Sequence, residues 1–177
     1  MLYTILGIVI VISLVLLIIT IYYNKFNFAI IKIAEAESNI AILFEKKKQL
    51  LERTRPIVKK ELKLKEFLED IEFLNETTIN HFEINNSLKA LNNELNKILD
   101  EHEKLYKSES LLSIIEEINS NEEAILGSTK YYNDNVVIFN QLVGNFPSSI
   151  VALLWRYKKK SFYNNEKKEI YEILKDK

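Results

Sequence analysis

Two histidines, His81 and His102, are the first residues to weigh for chemistry, because imidazole serves both as a metal ligand and as a base near neutral pH. His102-Glu103 opens like the helical zinc motif H-E-x-x-H, but the fifth position is Tyr106 and the second ligand is missing. A di-iron bundle needs a glutamate three residues before each histidine; Thr78 precedes His81 and Leu99 precedes His102. His102 instead falls on an apolar stripe, where a hydrogen-bonded core or boundary residue is expected, and His81 is expected in a polar turn. The chain has no cysteine, which removes thiolate nucleophiles, disulfides and Cys-ligated metals together. Gly7, Gly127 and Gly144 never cluster into a phosphate loop, and no G-x-S-x-G elbow exists. The pairs Glu116-Glu117 and Glu122-Glu123, and the run Lys46 to Lys48, fit solvated helix faces. Glu122 alone among these acids holds a stripe position, with Thr129 one heptad later, and polar residues there usually fix register. The residues predict no catalytic group, no metal site and no cofactor.

The elements that carry these residues are easier to read. All charged side chains lie at or after Lys25, although 28% of the 177 residues are charged. Leu2 to Tyr23 is apolar throughout, broken only by Tyr3, Thr4, Gly7, Ser13 and Thr20. About 20 such residues cross the roughly 30 Å of hydrocarbon in a bilayer. Tyr22, Tyr23 and Lys25 form an aromatic and cationic exit. The long apolar run, with no preceding cation and no following small-x-small site, reads as a retained anchor over 1–24 and not as a cleaved signal. Lys25, Lys32 and Lys46 to Lys48 follow the span, which leans toward a cytoplasmic soluble part. A net charge of −1 argues against nucleic acid as a partner.

Beyond the anchor, apolar residues recur every three or four positions. Ile30, Ile33, Ala36, Ile40, Leu43 and Leu50 make one stripe, and Pro56 is expected to end or kink its helix. Further stripes run through Ile57, Leu64, Leu68, Ile71 and Leu74; through Leu88, Leu91, Leu95, Ile98, His102 and Leu105; and from Ile115 to Val143. With only 3 Gly and 2 Pro, a many-stranded sheet is excluded. The expected fold is all-α: a transmembrane helix, then an antiparallel up-down four-helix bundle over 25–146. Its helices fall at about 26–54, 56–75, 86–106 and 111–144.

An even number of helices returns the chain to the bilayer at Phe146. There a short amphipathic helix and a basic aromatic tail are expected over 147–177. Trp155, Arg156, Tyr157, Lys158, Lys159 and Lys160 are the candidates for contact with the headgroup layer. The alternative is that Ile150 to Trp155 caps the open end of the bundle core.

One stretch is more specific. Glu122-Glu123-Ala124-Ile125 leads into Lys130-Tyr131-Tyr132-Asn133, then Val136, Phe139-Asn140, and Phe146-Pro147-Ser148-Ser149-Ile150-Val151-Ala152. This resembles the LemA family, whose signature is an acidic residue before R-x-Y-N-x-x-V-x-x-Y-N and then F-P-S-N-x-x-A. Ala36-Glu37-Ser38-Asn39-Ile40 and Lys46-Lys47 look like the family's A-W-S-Q-I and paired basic residues. Phe139 stands for the second tyrosine, Lys130 for the arginine, and the family's D-L-I-P-N-L-V is absent, which marks a divergent member. The motif resemblance is strong over 117–152, weak over 34–51 and missing between.

The resemblance implies a bacterial, membrane-anchored, all-helical protein without an assigned activity. Relatives with lipoprotein signals imply a domain outside the cytoplasm, so both orientations stay open. Glu122, Tyr132, Asn133, Val136, Phe139, Asn140, Phe146 and Pro147 are the family-motif residues. Asn133 and Asn140, one heptad apart, are expected to cap backbone groups or bond to a neighbouring helix. The expected function is a non-enzymatic scaffold or regulator whose partners are the lipid bilayer and an unidentified membrane or membrane-associated protein. The alternative is a sensor with a small-ligand site near Tyr132, Asn133 and Asn140.

Overall fold

The computed structural model describes residues 1–63, 66–69, 71 and 81–163, with the backbone alone for 81–83. Among these residues every regular element is helical: α1 (Leu2–Leu62), α2 (His81–Glu101), a 3-10 helix (Glu103–Lys107), α3 (Glu109–Gly144) and α4 (Ser148–Leu154). They form two compact units, residues 38–129 and residues 1–37 with 130–177. Both α1 and α3 contribute to each unit.

In α1 the buried positions are Phe26, Ala29, Ile33, Ala36, Ile40, Phe44, Lys47, Leu50, Leu51, Thr54 and Val58, and apart from Leu50, which adjoins Leu51, every step is three or four residues. That is the heptad spacing of a helix packed along one seam. Residues 1–18 are exposed on all sides. This part of α1 is long and apolar enough to cross a membrane, and Thr4, Ser13 and Thr20 return their hydroxyls to helix carbonyls at 2.6–2.9 Å.

The helix end expected as one outcome at Pro56 is not formed. α1 runs through it to Leu62. Pro56 sits on the exposed side of the helix and Glu52 is half-buried, so the Glu52 carbonyl that loses its donor has access to water, which offsets the usual penalty. Consequently no separate helix spans 56–75: residues up to Leu62 extend α1, and Lys63 takes a left-handed φ of 53° that stops it. The remainder of that stretch lies partly outside the described residues. α2 begins at His81, ahead of the expected 86, so His81 opens a helix and does not lie in the expected polar turn. His102 is exposed, not packed. α2 has ended at Glu101, and His102 at φ −134° and ψ 80° breaks the phase that would have put it on the seam. Leu99 and, from the 3-10 helix, Leu105 are buried instead.

The unit of residues 38–129 buries Leu88, Leu91 and Leu95 of α2 and Leu111, Ile114, Ile118 and Ile125 of α3, besides its α1 residues. Phe67 and Leu68 are also buried, and two bonds tie their backbone to the helices. Arg55 Nε donates to the Phe67 carbonyl at 3.2 Å, and the Leu68 N–H donates to Glu94 Oε1 at 3.2 Å. The other unit buries Phe26, Ala29, Ile33 and Ala36 with Tyr132, Val136, Phe139, Val151 and Ala152.

Candidate functional site: an asparagine clamp on the C-terminal segment

The second half of α3 presents Tyr132, Val136 and Phe139 to the core of its unit, as spacings of four and three residues require. Asn133 and Asn140 lie one position further round. After α3 the chain passes a cis Phe146–Pro147 bond and α4, whose axis stands at 88° to α3. Arg156, at a left-handed φ of 56°, turns it back, and residues 157–163 run without helix along α3.

The two asparagines hold this segment by its main chain. Asn140 Nδ2 donates to the Lys160 carbonyl at 2.9 Å and its Oδ1 accepts the Lys160 N–H at 2.8 Å. Asn133 Oδ1 accepts the Tyr163 N–H at 2.8 Å. Between them the Tyr132 hydroxyl donates to the Ser161 carbonyl at 3.2 Å. The spacing has a simple cause. Seven helical residues rise about 10.5 Å, and three residues of extended chain cover about 10 Å. A heptad of asparagines therefore meets every third residue of a segment running antiparallel to the helix.

Aromatic rings close the clamp at both ends. Tyr157 packs on Phe26 and Phe139, with centroids 4.7 and 6.0 Å away, and Phe26 meets Phe139 edge-on at 5.6 Å. Tyr163 meets Tyr132 edge-on at 5.9 Å. Burial raises the pKa of Tyr132, Tyr157 and Tyr163 above the ordinary phenol value, Glu37 adding to the effect at Tyr132. Neutral phenols, not phenolates, are thus the forms the clamp favours.

The remaining motif residues separate. Glu122 belongs to the other unit, where it pairs with Lys47. Lys47 is 1% exposed, so the middle residue of the lysine run is not solvated. Beside Glu122, Asn121 is buried and donates Nδ2 to the Leu43 carbonyl at 3.0 Å, while its Oδ1 has no partner. Arg53 reaches Glu117 at 3.3 Å on the surface. Phe146 is exposed and Pro147 half-buried. Trp155 stacks obliquely on Tyr23, 5.2 Å between centroids. Arg156, Lys158 and Lys159 are exposed, whereas Tyr157 and Lys160 are half-buried in the clamp. No trio of His, Asp or Glu able to hold a metal occurs among the described residues.

A family model described as the LemA family matches residues 34–173. The chain belongs to the LemA family. No curated protein and no solved structure matches it. The LemA match covers the stretch between residues 51 and 117, where no motif is legible. It also continues through the clamped segment. The segment that Asn133 and Asn140 hold is therefore part of the LemA domain, not an appendage to it.

Two features of the site leave little trace in the sequence. Lys47 was hidden by its charged neighbours, although it lies three residues after Phe44 and four before Leu51, in phase with the seam. The clamped segment carries no periodic signal, since its bonds go to main-chain atoms. The heptad spacing of the asparagines was its one trace.

Proposed function

We propose that this LemA protein is a non-enzymatic, single-pass membrane protein of bacteria whose helical domain scaffolds or regulates partner proteins at the membrane. In this reading Leu2 to Tyr23 spans the bilayer, and the helices beyond it pack as an up-down bundle. The observation that carries it is the use of the motif. The Tyr132 hydroxyl, Asn133 Oδ1 and both amide atoms of Asn140 bond to the main chain of residues 160–163. They shape a surface and leave no arrangement of nucleophile, base and orienting group at the motif. A small ligand at these asparagines would have to displace the segment they hold.

The test is photo-crosslinking from membranes through residues placed on the exposed face of α3, followed by purification of the full chain. A reproducible protein adduct is the expected result. A chain that gives no adduct but co-purifies with a small molecule would sink the scaffold in favour of the sensor.

A further inference from the structure

The outer face of α4 is apolar and bare. Phe146 is 82% exposed, Leu153 80% and Leu154 61%, with Ile150 and Trp155 also exposed, while Ser148, Val151 and Ala152 are buried beneath. Contiguous apolar surface left bare marks a contact with lipid or another protein. Its position in the unit decides between them. Trp155 rests on Tyr23, in the last turn of the exposed apolar stretch. Near it α3 runs antiparallel to α1, since Phe139 meets Phe26 and Tyr132 lies within reach of Glu37. With α4 at 88° to α3, a span that crosses the bilayer close to its normal leaves α4 lying in the membrane plane. Its depth is that of Tyr22 and Tyr23, where aromatic rings meet headgroups.

The charges suit the same place. Lys25 lies over the Tyr22 ring at 5.1 Å. Arg156, Lys158 and Lys159 are exposed just past α4, and the stem of Lys159 lies beside Gly144. We propose that α4 is a second, interfacial membrane contact. Phe146, Ile150, Leu153, Leu154 and Trp155 enter the headgroup and upper acyl layer, and Lys25, Arg156, Lys158 and Lys159 meet anionic headgroups. A surface for a protein partner would not need to sit level with the exit of the span or carry this ring of cations. The proposal rests on the apolar stretch crossing the bilayer.

Trp155 is the chain's single tryptophan, so the full-length protein reports on itself. It is reconstituted into vesicles of phosphatidylcholine with a minority of phosphatidylserine, and flotation establishes that the span is inserted. Brominated lipids then quench Trp155. Bromines near the carbonyl end of the acyl chains are expected to quench roughly twofold more than bromines near the methyl end. In Leu153→Glu/Leu154→Glu, whose positions are exposed, quenching by either lipid is expected to fall to the background level while flotation persists. A floating protein whose Trp155 is quenched only by aqueous iodide overturns the interfacial contact and leaves the anchor standing. Stronger quenching by the deep bromines, or unchanged quenching in the double variant, overturns it too. Failure to float overturns the span and this contact with it.

Discussion

In the first half of α3, Asn121 and Glu122 turn to another helix, whereas in the second half Asn133 and Asn140 turn to a segment that is not helical. The difference follows from what each neighbour has to offer. A helix satisfies its own main chain, so it can give only a side chain, as Lys47 does to Glu122, or a spare carbonyl lone pair, as Leu43 does to Asn121. A non-helical segment brings N–H and C=O groups that no helix ladder pairs. Asparagine, with one acceptor and one donor group on a short stem, matches both, and Asn140 uses both on Lys160. One region therefore has an ion pair beside a single bond to a helix carbonyl, and the other is held by main-chain capture, so the two should fail in different ways.

The ion pair should break hardest. Glu122→Ala leaves Lys47 a buried cation without its partner, and breaking such a pair costs about 3 kcal/mol, the low end of the range because Glu122 is partly exposed. Replacing both residues with apolar ones of similar size (Lys47→Met with Glu122→Leu) should restore most of that loss. Amide hydrogen exchange over residues 40–54 measures both. A single variant as protected as the native chain would remove the ion pair from the comparison.

The clamp should give less, and should distinguish its two asparagines. Asn140→Ala forfeits two bonds to Lys160, about 2 kcal/mol or roughly thirtyfold in the opening of the segment. Tryptic cleavage after Lys158 to Lys160 should quicken accordingly while exchange over residues 40–54 stays unchanged. Aspartate sharpens the contrast. Asn133→Asp keeps the oxygen that accepts the Tyr163 N–H, whereas Asn140→Asp sets a carboxylate against the Lys160 carbonyl. Only the second should accelerate cleavage. Equal behaviour of the two aspartates would mean that the donor half of Asn140 contributes nothing.

How much of this was legible follows from what each contact reads. The α1 seam was visible because packing selects side chains, and the step from Ile33 through Ala36 to Ile40 shows its phase. Lys47 and Asn121 share that phase with their own helices but are polar, so a search for apolar stripes passes them over. Pro56 misled for the opposite reason: the rule about its missing N–H is local, and exposure of that side of the helix relaxes it. His102 was placed by extending a periodicity beyond the point where α2 ends. The pairs Tyr132-Asn133 and Phe139-Asn140 were legible as a heptad and as a LemA motif. Their partners were not, because main-chain atoms of Lys160, Ser161 and Tyr163 look alike in every sequence.

The smallest effect is confined to alkaline solution and separates the regions by their titrating groups. Burial raises the pKa of Tyr132, Tyr157 and Tyr163 in the clamp, whereas a freed segment has phenols that ionise near about pH 10. Above that point the released state has lost protons that the clamped state retains, so it binds fewer of them and the clamp weakens as pH rises. The stabilisation is complete below about pH 10 and disappears as pH climbs through the raised values. Trp155 fluorescence, sensitive to its stacking on Tyr23, should therefore change above pH 10 together with late-rising tyrosinate absorbance. Tyr163→Phe removes one of the ionising hydroxyls and should move the change to higher pH. Tyrosines that all ionise together near the ordinary value, with Trp155 undisturbed, would show that the phenols are not held by the clamp. The ion pair of Lys47 and Glu122 has no phenol in it, so exchange over residues 40–54 should be indifferent to Tyr163→Phe.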